Sequence, residues 1–141
     1  MKRFIKSAFR SIGIEVRRAQ PALTTVMATT LLKWAASTEV STVIDVGASN
    51  GSWTRLALMG WPDAHYLLVE AQQEPHEEGL IKLASESPQV QYVIAAAGPQ
   101  SGTIYFDATD PFGGLASETP TAGVCISVPM TMLDDEVRID A

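Results

Sequence analysis

Hydrophobic positions recur along the chain in two different rhythms. At the start, Phe4, Ile5, Ala8, Phe9 and Ile12 fall at helical spacing among Lys2, Arg3, Lys6 and Arg10. That pattern predicts a short basic amphipathic segment within residues 1–20. Pro21 suits the first turn of a helix, and Leu23, Val26, Met27, Thr30, Leu31 and Trp34 keep the same three- and four-residue steps, so a core-facing helix is expected there. From residue 42 the rhythm shortens. Thr42-Val43-Ile44-Asp45-Val46 is β-branched, too short for a helix and closed by Gly47, which predicts a buried strand.

A helix is expected from about Ser52 to Met59, stopped by the breakers Gly60-Trp61-Pro62-Asp63. Tyr66 to Glu70 is the next apolar strand. Pro75 with Glu74, Glu77 and Glu78 marks a helix start, because early acidic side chains complement unpaired amides, and Pro88 ends that helix. Val90 to Ala96 is a third strand. Strand, helix, strand, helix, strand is the order of a parallel α/β sheet with right-handed crossovers. After Gly98, Thr103 to Asp107 and Val124 to Met132 are strand-like and flank a stretch, Asp110 to Gly123, rich in proline, glycine, serine and threonine. An antiparallel excursion appended to the parallel sheet is expected, within one domain spanning residues 21–141.

Composition narrows the function classes. With 46% apolar and 18% charged residues the chain can bury a core, and its net charge of -6 would repel phosphate backbones, so nucleic acid is not an expected partner. Six of the ten basic residues lie before residue 19. Their segment either packs its apolar stripe on the domain or a partner, or lies on an anionic membrane surface as a peripheral contact through residues 1–18. A single cysteine, Cys125, excludes an internal disulfide and any multi-cysteine metal site, and fits a cytoplasmic compartment. Its neighbours Val124, Ile126 and Val128 predict a buried, inert thiol. Charges interrupt the N-terminus too often for a secretory signal, and Ala22 to Ala36 is shorter than the ~20 residues that span a bilayer.

The chemistry-bearing stretch is Asp45-Val46-Gly47-Ala48-Ser49-Asn50-Gly51-Ser52-Trp53-Thr54, between the first strand and its crossover helix. Glycines let such a turn approach a ligand, and the helix start offers unpaired amides. Glu70 ends the adjacent strand, 23 residues after Gly47, where its carboxylate can accept two ribose hydroxyls. The opposing readings are an Asp45 that merely pins the turn and a Glu70 that is a strand-end surface acid. A nicotinamide site would carry G-x-G-x-x-G, and Gly47-x-x-x-Gly51 does not. His65 and His76 read as loop or helix-surface residues, Trp53 and Trp61 as packing groups, and Asp134 and Asp135 as solvated turn acids.

The phrases VIDVGASNGSWT (43–54), AHYLLVEAQ (64–72), VQYVIAAAG (90–98), SGTIYF (101–106), GGLAS (113–117) and VPMTMLDDEV (128–137) stand in the order seen in FkbM-type methyltransferases, and the chain resembles that family over residues 41–137. The resemblance implies a Rossmann-like class I methyltransferase sheet with S-adenosylmethionine as cofactor. It implies O-methylation of a hydroxyl on a glycan, polyketide or related metabolite. On matching positions, Asp45, Gly47, Ala48 and Ser49 with Gly51 would form the loop at the methionine end, Glu70 would meet the ribose, and the turn centred on Ala96 the adenine. Ser49 stands where the family loop G-A-N-x-G has asparagine, and Pro99 where it often has an acid.

In the family a segment of the type I-K-x-D-x-E-G follows the LDD phrase, and this sequence ends first. The expectation is therefore an incomplete sheet whose first strand, central in the order 3-2-1-4-5, becomes an open edge prone to self-association. No catalytic residue is assigned. The alternative to an enzyme is a non-catalytic adenosine-cofactor-binding or interaction module derived from the same fold.

Overall fold

The computed structural model describes residues 23–137, and the basic amphipathic segment, Pro21 and residues 138–141 lie outside the described residues. The element order is α1 (Leu23–Ala35), β1 (Thr42–Val46), α2 (Ser52–Leu58), β2 (His65–Glu70), α3 (Gln73–Glu86), β3 (Val90–Ile94), β4 (Ala96–Ala97), β5 (Gly102–Asp107), β6 (Leu115–Ser117), β7 (Cys125–Thr131) and α4 (Leu133–Glu136). The chain is a mixed α/β protein. Among the described residues, no helix is long and apolar enough to cross a membrane.

β1, β2 and β3 form one sheet in that order, all parallel, with Val43 opposite Tyr66 and Tyr66 opposite Val90. β2 is the middle strand and its last five residues are buried. The main core lies on one face, where Tyr66, Leu68 and Val90 meet Ala57 from α2 and Leu80 and Leu83 from α3. Trp61, after α2, ties the layer together: its Nε1 donates to the Thr38 carbonyl at 2.8 Å, and its own carbonyl accepts the Tyr66 hydroxyl at 2.9 Å. Trp34 meets it edge-on at 5.6 Å. Trp61 thus takes the packing role expected of it, and Trp53 is partly buried against the same core.

Three expectations are corrected here. β1 is not a buried strand, as its composition alone implies, but the open edge expected of an incomplete sheet, with Ile44 41% and Val46 54% exposed and β2 its sole neighbour among the described residues. α1 is less core-facing than its spacing implies: Leu31 is buried, whereas Val26 and Trp34 are exposed. It approaches the turn after α2 closely, where a Cβ on Gly60 would lie 2.9 Å from the Cβ of Ala35. The third strand stops at Ile94. At Ala95 the chain turns, its amide donating to the Glu70 carbonyl at 2.9 Å, and β4 joins a different sheet.

That second sheet has the order β4-β7-β5-β6, in which β4 runs parallel to β7 and the other pairs are antiparallel. The excursion is therefore a separately bonded sheet rather than an appendage of the first. The stretch from Asp110 to Gly123 contains a short strand, β6, which pairs Phe106 with Ala116. A small core of Ala71, Ala96 and Val128, extended by Ile104, Phe106 and Ile126, lies on one face. Because side chains alternate along β7, Cys125 falls out of step with Ile126 and Val128, and its free thiol is half-buried rather than buried.

Candidate functional site

The parallel strands converge on the loop between β1 and α2. Gly47 and Gly51 adopt φ of +76°, and Ser49, at +52°, is the non-glycine residue with positive φ among the described residues. The amides of Gly47 and Ala48 both donate to the Val69 carbonyl, at 2.9 and 3.2 Å, and Gly51 N–H donates to Ala48 at 2.9 Å. The loop is thereby folded back over the end of β2. A Cβ on Gly47 would meet nothing within 4 Å, so the backbone there is bare on its outer side.

Glu70, 6% exposed, closes the arrangement. Its Oε2 accepts the Ser49 amide at 2.7 Å and its Oε1 accepts the Gln72 amide at 2.8 Å. Charge-assisted bonds of this kind are short and strong, and they hold a carboxylate in a site that water does not reach freely. Asp45 lies next along the same end of the sheet and accepts the Thr54 hydroxyl at 2.6 Å. Burial pushes the Asp45 carboxyl above its ordinary range; the Thr54 bond opposes that shift, and the like charge of Glu70 adds to it.

Asp45, Gly47, Ala48, Ser49 and Glu70 therefore come together as one wall. Gly51 faces the other way: a Cβ there would lie 2.7 Å from Leu83 Cδ2, so its place is in the packing of α2 against α3. Ala96 is 7% exposed and pairs with Met130 in the second sheet, joined to the site through the Ala95 amide on Glu70.

His76 requires a correction. Expected at the surface, it is 2% exposed. Its Nε2 lies 2.6 Å from the Pro111 carbonyl, which can only accept, so Nε2 carries a proton and donates there, while Nδ1 lies 3.2 Å from Ser49 Oγ. Gln72, 4% exposed, likewise donates through Nε2 to the Asp110 carbonyl at 3.0 Å. The position of His76 in the first turn of the helix that leaves Glu70 was the available signal, since that turn must flank the loop. Gly79 was missed too: a Cβ there would lie 2.9 Å from Asn50, so glycine lets α3 close against the loop. His65 is exposed at the start of β2, and Asp134 and Asp135 are exposed in α4, in line with their surface reading.

Gly47-Ala48-Ser49-Asn50-Gly51 also has the G-x-S-x-G spacing of a hydrolase nucleophile turn. Two observations oppose that use. Ser49 Oγ is 3.2 and 3.5 Å from the two ring nitrogens of His76, so it is not aligned with one lone pair. The Glu70 carboxylate on the Ser49 amide also brings negative charge to a place where an acyl-transfer intermediate needs donors.

A cleft of about 650 Å³ lies elsewhere, bounded by Ser41, Thr42, His65, Gln91 and Asp135 at the amino ends of the parallel strands. Ligands of open α/β sheets bind outside the carboxyl ends, so the glycine loop and not this cleft is the candidate site. Among the described residues no group of three or more histidine, cysteine, aspartate or glutamate side chains is placed to hold a metal ion. The chain matches no protein-family model, and no curated protein sequence matches it.

Proposed function

We propose that this chain binds S-adenosylmethionine at the carboxyl ends of β1 and β2 and belongs to an O-methyltransferase of the FkbM type, with a Rossmann-like sheet. The acceptor is a hydroxyl of a glycan, polyketide or related metabolite. The observation that carries the reading is the Glu70 carboxylate, which staples the glycine loop to the end of β2 while each oxygen keeps capacity for a second hydrogen bond. Two adjacent ribose hydroxyls fit that pair. The bare backbone at Gly47, with Asp45 and Ser49 beside it, suits the amino-acid end of the cofactor. Bound S-adenosylmethionine would supply an electrophilic methyl group to the acceptor oxygen.

One observation favours a non-catalytic cofactor-binding module as the second reading. The ionisable side chains around the loop are each engaged, Asp45 by Thr54, Glu70 by two amides and His76 by Pro111. Titration calorimetry with S-adenosylhomocysteine and with NAD, beside a radiolabelled methyl-transfer assay, separates the two. Binding of S-adenosylhomocysteine with turnover supports the enzyme, and binding without turnover supports the module. Preference for NAD overturns the methyltransferase.

A further inference from the structure

Beside the glycine loop, two buried polar side chains, one from the N-cap and one from the first turn of α3, grip the same short stretch of backbone. His76 donates to the Pro111 carbonyl at 2.6 Å and Gln72 to the Asp110 carbonyl at 3.0 Å. The Phe112 ring, 77% exposed, rests against the His76 ring at 5.5 Å. The two donors are almost wholly buried, whereas residues 109–113 are exposed, so the stretch lies over them as a cover.

Both ends of that stretch are fastened to the second sheet. Ala108 N–H donates to the Val124 carbonyl at 2.7 Å, and the Thr109 hydroxyl oxygen accepts the Val124 amide at 2.9 Å. At the other end a Cβ on Gly114 would collide with the Phe106 ring. Between these anchors the backbone holds itself in a compact turn, with the Phe112 and Gly113 amides both donating to Asp110. Fixed ends, an internally bonded tip and attachment to α3 by two side-chain bonds and one ring contact describe a segment that can lift as a unit.

We propose that residues 108–114 form a strap beside the glycine loop and Glu70, latched by His76 and Gln72, and that its opening gates exchange of the ligand. His76 is a positioning residue in this scheme. It touches Ser49 of the loop on one side and Pro111 of the strap on the other, so it links the two. What the strap covers rests on the cofactor reading above, whereas the latch stands on the hydrogen bonds alone.

The test compares wild type with His76→Ala, Gln72→Ala and the donor-retaining His76→Gln, all checked for fold by circular dichroism. Stopped-flow measurement of S-adenosylhomocysteine should show association and dissociation rates rising together, roughly three- to tenfold, in His76→Ala, the range that loss of one latch bond allows. The affinity should stay nearly constant, and His76→Gln should restore slow exchange. A purely structural or ligand-contacting His76 would raise dissociation alone and weaken affinity, which overturns the gate. Chymotryptic cleavage after Phe112 without ligand reads the latch separately, because a protease needs the strap lifted from α3, and faster cleavage in His76→Ala is expected. Should wild type bind no S-adenosylhomocysteine, the cofactor reading fails, and unchanged cleavage in His76→Ala would then overturn the latch as well.

Discussion

Glu70 Oε2 accepts the Ser49 amide at 2.7 Å, a bond that spans 21 residues and joins the turn after β1 to the end of β2. It gives one side chain two tasks. The carboxylate sets the shape of the loop, and its unused lone pairs are what a ligand meets. With Gln72 on its other oxygen, Glu70 also fixes where α3 begins, and therefore where His76 stands.

Removing that carboxylate should affect fold and binding together. Glu70→Ala leaves two backbone amides without their acceptor, and is expected to lower stability by about 1–3 kcal/mol and to weaken S-adenosylhomocysteine by a similar amount. Denaturant unfolding and calorimetry on the same sample give both numbers. A folded Glu70→Ala protein with unchanged affinity would leave Glu70 as a staple alone and remove it from the ligand site.

The two glycines with the same φ of +76° should respond differently to alanine. At Gly47 the added Cβ meets no protein atom, so the cost is the left-handed conformation, about 1–2 kcal/mol, while the methyl group enters ligand space. At Gly51 the Cβ falls 2.7 Å from Leu83 Cδ2, adding a core clash to the same strain. Gly47→Ala should therefore lose binding at modest cost in stability, and Gly51→Ala should lose stability first. Equal loss of affinity in both variants at full folding would argue that neither faces the ligand.

Much of this frame was visible in the residues because its elements are punctuated locally. α2 ends within a residue of its expected stop, where Gly60 and Pro62 break it, and β2 gains only His65 on the strand expected from Tyr66. Three consecutive alanines, Ala95 to Ala97, carry no mark of a change in direction, so the passage from β3 into the second sheet was hidden. The burial of His76 depends on Pro111, 35 residues away, and no local period encodes that. β1 shows the converse limit: an apolar β-branched run looks the same whether tertiary structure gives it one neighbour or two. The loop residues of the site were legible because positive φ and a strand-end acid are local requirements.

Asp45 should trade stability for function. Burial raises its carboxyl above the ordinary value of 3.8, so between 3.8 and that raised value the native state holds the extra proton. Stability contributed by Asp45 is then present at acid pH and declines as pH rises through this window. Asp45→Asn, which keeps an acceptor for Thr54, is expected to be more stable than wild type at neutral pH, with the gain vanishing as pH falls toward 3.8. Its affinity for S-adenosylhomocysteine should fall by about tenfold if the carboxylate meets the amino group of the ligand, the usual scale for a charged hydrogen bond. Melting temperature against pH checks the first half. An Asp45→Asn protein less stable than wild type at neutral pH would show that the Thr54 bond outweighs burial.

The open side of β1 should govern behaviour at high concentration. Its backbone has a partner on one side among the described residues, and Ile44 and Val46 present apolar side chains at 41% and 54% exposure beside it. Exposed edges of this kind template pairing with another strand, and proteins that resist it place charge on them. The expected outcome is concentration-dependent self-association by sedimentation velocity, reversed in Ile44→Lys and Val46→Lys. Both substitutions lie on exposed positions and should change stability by less than about 1 kcal/mol, so their circular dichroism should match wild type. Association driven by the edge should also place β1 amides among those protected from hydrogen exchange only in the associated state. If both lysine variants associate as wild type does and β1 protection stays constant with concentration, the contact lies on another surface, and the exposed Phe112 and the exposed Leu115 of β6 become the residues to charge next.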